Sequence, residues 1–189
     1  ECNVLETVTM TDSVTTMDDN AFDHCDILRS VTLSDQIETI GLQTFSQCKK
    51  LETIHLPASL KTIGNDAFQY CESLRSLTLP DGTESIGSLA FRGCSVLEAV
   101  VIPASVTSID SGWNNNSVFA YCGVLTLYVT PDSHAEKYAK DQWAKDCFRL
   151  MDESWRSVGF SNSLLFITKK TSEYPEGNYI TNALETVGT

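Results

Sequence analysis

The chain has 189 residues, 42% of them hydrophobic and 20% charged, enough apolar material for one domain with a sizeable core. Its formal charge of -12 sits mostly in residues 1–130, where 16 acidic and 6 basic side chains give -10, while residues 131–189, with 9 and 7, give -2. Such a surface repels phosphate backbones and anionic bilayers, and no apolar run approaches the roughly 20 residues of a membrane helix, which argues against nucleic-acid binding and membrane insertion. The first residues show no charged, then apolar, then small-residue signal, so any export signal is expected to have been removed or to lie outside this sequence.

The chain repeats itself from its start. Cys2, Cys25, Cys48, Cys71 and Cys94 are each 23 residues apart, and Cys122 follows after 28. Phe22, Phe45, Phe68, Phe91 and Phe119 lie three residues before a cysteine; Leu5, Leu28, Leu51, Leu74, Leu97 and Leu125 lie three after. The next apolar positions are Val8 and Met10, Val31 and Leu33, Ile54 and Leu56, Leu77 and Leu79, then Val100 and Ile102. Their alternation predicts one short strand per unit with one face inward. Pro57, Pro80 and Pro103 should end those strands, since proline cannot donate to a ladder. A second apolar pair follows at Val14 and Met17, Ile37 and Ile40, Leu60 and Ile63, and Val106 and Ile109, with Thr83 and Ile86 the weak copy. Gly41, Gly64 and Gly87 come next and are expected to let the chain turn.

A fixed period in the twenties with one strand per unit is the signature of a leucine-rich-repeat solenoid, in which stacked coils share a core that no single coil could bury. Phenylalanines and cysteines then form two internal columns, each cysteine acting as a small hydrophobe where the coil turns. The stretches "LETIHLPASLKTIGNDAFQYC" and "LRSLTLPDGTESIGSLAFRGC" resemble the BspA-like leucine-rich repeats of bacterial and some protozoan surface proteins. The resemblance covers residues 1 to about 130, with Thr44 and Val118 departing from the alanine before phenylalanine. It extends into "LYVTPDSHAEKYAKDQWAKD", which is similar to the closing segment of such arrays, a last strand followed by a capping helix. The expected fold is an α/β-type repeat array with one short parallel strand per unit.

Two parts are therefore expected: repeats over 1–130, about five and a half units starting within a unit, and a cap helix with an irregular tail over 131–189. Asp132 or Ser133 is a plausible N-cap, and Ala135, Tyr138, Ala139 and Trp143 recur at helical spacing behind it, on a face suited to closing the core. In the tail "SLLFIT" predicts one more strand. With no phenylalanine before Cys2 and no capping segment, the sequence reads as a portion of a longer repeat protein.

Seven cysteines raise the question of disulfides or metal. In-register stacking would bring the Cα atoms of neighbouring cysteines to about 5 Å, within disulfide reach, but an inward column in a packed core favours free thiols, and no C-x-x-C or zinc-spaced His/Cys pair occurs. His24, His55 and His134 fall in different registers, and His55 projects from a strand whose flanking cysteines point inward, so a thiol–imidazole pair is not expected. There is no G-x-S-x-G, glycine-rich phosphate loop or H-E-x-x-H, hence no expectation of an enzyme, a cofactor or a metal. Asp12, Asp18, Asp19, Asp23, Asp26 and Asp35 crowd the first units without a calcium-loop spacing and are taken as solvated turns.

The outward strand positions Thr7, Thr9, Ser30, Thr32, Thr53, His55, Ser76, Thr78, Ala99 and Val101 would line a concave face of small, mostly hydroxyl side chains. Either it is simply an exposed sheet or it is a broad binding surface. Beside it Glu6, Arg29, Glu52, Arg75 and Glu98 alternate in sign once per unit, which pairs stacked neighbours and penalises slippage. The chief irregularity is "DSGWNNNSVF": the step from isoleucine to phenylalanine is five residues from Ile63 to Phe68 but ten from Ile109 to Phe119. Insertions leave a solenoid as loops, where binding is often placed. Trp113 is either a contact residue or part of the cap; Asn114, Asn115 and Asn116 accompany it, and Asn115 starts a glycosylation sequon. Trp113, Asn114, Asn115, Asn116, His55, Thr78 and Val101 are thus the expected protein-binding residues.

The resemblance implies an extracellular or cell-surface, adhesin-like module that binds a host or cell-surface protein as a monomer. The alternative is a rigid spacer presenting another domain of a larger polypeptide.

Overall fold

A computed structural model describes residues 2, 4–110, 117–122, 125–143 and 165–168. In chain order its elements are β1 (Thr7–Thr9), β2 (Ser30–Thr32), β3 (Thr39–Ile40), β4 (Thr53–His55), β5 (Thr62–Ile63), β6 (Ser76–Thr78), β7 (Ser85–Ile86), β8 (Ala99–Ile102), β9 (Ser108–Ile109), β10 (Thr126–Val129), α1 (His134–Trp143) and β11 (Leu165–Thr168). Stacked coils of about 23 residues form the solenoid anticipated from the repeat. The strand after each cysteine recurs once per coil and pairs in parallel in two ladders, β1-β2-β4 and β6-β8-β10, with corresponding repeat positions side by side: Val8 opposite Val31 opposite Ile54, and Leu77 opposite Val100 opposite Leu127.

In four units the second apolar pair ends on a short strand of its own. β3, β5, β7 and β9 form a parallel ladder in which Ile40, Ile63, Ile86 and Ile109 lie in register. Two residues per strand are too few to show period-two alternation, so spacing alone suggests only a buried pair.

Gly41, Gly64 and Gly87 do not serve the purpose expected of them. None has a positive φ; the left-handed residues of each coil are instead Asn20, Gln43, Asp66 and Leu89 in one register and His24, Gln47, Tyr70, Gly93 and Tyr121 in another. What Gly64 and Gly87 provide is close approach, since a Cβ on Gly64 would stand 2.7 Å from the carbonyl carbon of Gly41, and one on Gly87 2.7 Å from that of Gly64. The left-handed residues point backbone N–H groups along the stack. Gln47 donates to Gln69 at 2.7 Å, Tyr70 to Arg92 at 2.7 Å and Gly93 to Ala120 at 2.8 Å, while Phe45 and Phe68 donate to Ala67 and Ala90. These rungs satisfy groups that burial would otherwise leave unpaired.

Between the ladders lies the phenylalanine column. Phe22, Phe45, Phe68, Phe91 and Phe119 stack in sequence with ring centroids 5.3–5.4 Å apart and planes within 12°. Each such contact contributes roughly 0.5–1.5 kcal/mol beyond the area it buries. Tyr138 of α1 meets Phe119 edge-on at 6.5 Å, and Ala135 and Ala139 are fully buried beside it. Ser133 starts the helix: its Oγ accepts the Glu136 N–H at 3.1 Å, and the Glu136 carboxylate accepts the Asp132 N–H at 2.7 Å. Burial works against that carboxylate, but Lys140 and the Asp132 N–H outweigh it and hold its pKa below the usual range. The strand expected in the tail is β11, antiparallel to β10.

Candidate protein-binding face

The outward side chains of the first strand column are shaped by the alternation that buries their neighbours. Val31 and Leu77 face the core, which leaves Thr7, Thr9, Thr32, Thr53, His55 and Thr78 exposed and Ser30 and Ser76 half-buried. Thr32 and His55 stand side by side on paired strands. The strip closes after four coils. Ala99, expected on its surface, is 1% exposed, and Val101 is half-buried. Their partners on β10 explain this: Thr126 beside Ala99 and Tyr128 beside Val101 are themselves buried, at 5% and 0%. Burial pushes the Tyr128 phenol up to about 12. The open face thus spans β1, β2, β4 and β6, with Val101 at its closing edge.

Of the expected binding residues, His55, Thr78 and Val101 lie on this one face; Trp113, Asn114, Asn115 and Asn116 lie outside the described residues. The alternating charges resolve into pairs, Arg29 with Glu52 at 2.8 Å and Arg75 with Glu98 at 3.2 Å, all substantially exposed. Pairs of this kind contribute about 0–1 kcal/mol each and chiefly fix the register.

Cys25, Cys48, Cys71 and Cys94 are free and buried and Cys122 is buried, whereas Cys2 is exposed. Each of the last four thiols donates to the phenylalanine carbonyl of the preceding coil: Cys48 to Phe22 at 3.1 Å, and Cys71, Cys94 and Cys122 to Phe45, Phe68 and Phe91 at 3.2 Å. The same carbonyls accept the backbone N–H of Cys25, Cys48, Cys71 and Cys94, so both lone pairs are used. The cysteine is therefore a hydrogen-bond donor as well as a small hydrophobe. Burial pushes the Cys48 thiol up to about 12 and those of Cys71 and Cys94 well above their ordinary value, so all three stay protonated and poorly nucleophilic. His24 Nδ1 faces Asp23 Oδ1 at 2.9 Å, and His55 is exposed on β4. Among the described residues no group of three or more His, Cys, Asp or Glu is placed to hold a metal ion, and no helix is long and apolar enough to cross a membrane.

A further cluster had no signal in the repeat pattern. Tyr70, Gly93 and Tyr121 share one left-handed register, and the Arg92 guanidinium lies over both rings, 6.0 Å from the Tyr70 centroid and 5.2 Å from that of Tyr121.

The family model of the BspA type leucine rich repeat region matches residues 1–132 in six copies. The chain belongs to that family. Among solved structures, this BspA-type chain is similar to a leucine-rich repeat protein from Bacteroides ovatus, at 34% identity and a TM-score of 0.59 over 65% of this chain and 30% of the other. A leucine rich cell surface protein from Faecalibacterium prausnitzii matches at 29% identity and a TM-score of 0.61, over 69% of this chain and 33% of its own. The pneumococcal vaccine antigen PcpA, at 20% identity and a TM-score of 0.53 over 72% of this chain and 39% of its own, shares the fold. The chain thus spans about a third of the length of the first two. A search of the curated proteins found no match. The BspA-type repeats form an interaction or structural module, in a family whose solved relatives include a cell-surface protein, on a scaffold that is typically non-catalytic.

Proposed function

We propose that the chain is an extracellular, adhesin-like module that binds a host or cell-surface protein as a monomer. Residues 1–130 supply the binding scaffold, and 131–189 hold the cap helix and an irregular tail with one strand. One observation carries this reading: six threonine and histidine side chains stand exposed at the outward positions of four successive repeat strands, in a family that includes a cell-surface protein. Strand-borne positions hold such a face rigid, which lowers the ordering cost of association. Contact centres on Trp113 and Asn114 to Asn116, with His55, Thr78 and Val101 forming the adjoining surface. Tryptophan is enriched among residues that dominate interfaces, and the hydroxyl strip has no comparable anchor.

The test is binding of the chain and its Trp113→Ala variant to a panel of purified extracellular matrix and host surface proteins. Saturable binding should weaken by more than about 1 kcal/mol, roughly fivefold, in Trp113→Ala with an unchanged melting temperature. A lower melting temperature with affinity preserved in the folded fraction would assign Trp113 to the cap. Absence of binding across the panel would leave the chain as a spacer that presents another domain.

A further inference from the structure

The turns between phenylalanine and cysteine carry one side chain per coil in a single register: His24, Gln47, Tyr70, Gly93 and Tyr121. The row is interrupted once, at Gly93. A Cβ there would lie 2.4 Å from the Tyr70 ring, so glycine is what lets that ring lie across the turn. Arg92, the residue before the gap, occupies the space between the rings of Tyr70 and Tyr121. Its Nε is buried without a hydrogen-bond partner, while the Tyr121 side of the sandwich is open, Tyr121 being 62% exposed.

This guanidinium differs from four of the other five cations of the repeats. Arg29, Arg75, Lys49 and Lys61 each hold a carboxylate of a neighbouring coil. Arg92 has no carboxylate within ion-pair distance among the described residues, although the protein carries a net charge of -12. Asp66 feels its charge but is held by Gln69, whose Nε2 donates to Asp66 Oδ1 at 2.5 Å. Packed between two rings, the side chain has little rotamer freedom left to lose on binding, and its planar fork matches a carboxylate with two parallel hydrogen bonds. A polyanion would set many charges against an acidic surface for one guanidinium, whereas a single carboxylate matches it one to one.

We propose that Tyr70, Arg92 and Tyr121 form an anchor that recognises a single carboxylate side chain, flanked by an apolar residue, on an exposed segment of a partner protein. The anchor lies on the phenylalanine–cysteine turns, separate from the strand face, and does not depend on Trp113. Tyrosine and arginine are the residue types that dominate interfaces, and here the two types are already assembled before a partner arrives.

Panning a phage-displayed library of random short peptides on the whole chain tests this. Enriched peptides should carry Asp or Glu next to an apolar residue, and their affinity should fall roughly tenfold or more in Arg92→Gln and in Tyr121→Ala, a variant at an exposed position, but not in Trp113→Ala. Enrichment of peptides without a carboxylate, or acidic peptides held equally well by folded Arg92→Gln and Tyr121→Ala, would overturn the proposal. Acidic peptides lost only in Trp113→Ala would refute the anchor while supporting the reading of that loop.

Discussion

The phenylalanine–cysteine turns and the strands that follow them obey the same 23-residue period but use it in opposite ways. In the turns the backbone and the inward side chains are committed to neighbouring coils: rings stack at 5.3–5.4 Å, thiols donate to carbonyls 26 residues back between Cys48 and Cys94, and left-handed residues aim N–H groups along the axis. In the strands only alternate side chains are committed, and the threonines between them face solvent. Periodicity in sequence therefore identifies what stacks without saying whether it stabilises. The inward positions of the turns tolerate little change, and outward positions are free to carry recognition.

The contrast is broken most directly by Phe68→Ala. Phe68 is fully buried between Phe45 and Phe91, so removing its ring should cost about 3–5 kcal/mol through lost burial and an unfilled cavity, read as a lower urea midpoint. A loss as small as that of a strand-face variant would mean that the inward and outward assignments are reversed.

Alkaline pH probes the turns without mutation. Burial raises the pKa of Cys25, Cys48, Cys71 and Cys94 above the ordinary 9.0, that of Cys48 to about 12. The unfolded chain ionises these thiols first, so their contribution is fully present below about pH 9 and lost progressively as pH rises toward 12. The urea midpoint should be level from neutral pH to about 8.5 and then fall. A midpoint level to pH 11 would contradict burial of the column.

Thr83→Val sharpens the comparison by repairing a polar residue in a core register. Thr83 stands where other coils place Val14, Ile37, Leu60 or Val106; it is fully buried and its Oγ1 has no hydrogen-bond partner. Replacement by valine should add about 1 kcal/mol, seen as a higher melting temperature. A decrease would mean that the hydroxyl is satisfied in solution. The smallest effect belongs to Thr78→Ala on the exposed strand face, under about 0.5 kcal/mol by the same measurement.

The residues themselves made the solenoid, the phenylalanine and cysteine columns, the first strand column and the cap helix at Ser133 legible, because each rests on a repeated apolar spacing or a capping pattern. The glycines misled because the same residue type serves left-handed turns and close packing, and only coil-to-coil distance separates the two at Gly64 and Gly87. The thiol donors had no signal, since a cysteine that donates looks like one that merely fills space. Ala99 looked outward by alternation, and its burial comes from Thr126 and Tyr128 across the ladder, a tertiary fact. The Arg92 sandwich required knowing that Gly93 breaks a row of side chains.

The central claim, that the turns form one shielded, fully committed column, is tested most directly by thiol labelling followed residue by residue with mass spectrometry. Cys2, which is exposed, should react at once, whereas Cys48, Cys71 and Cys94 should react together, at the rate of global unfolding, and quickly only in denaturant. Labelling of any of those three at the rate of Cys2 in folded protein, or an intact mass showing them paired as disulfides, would contradict the account.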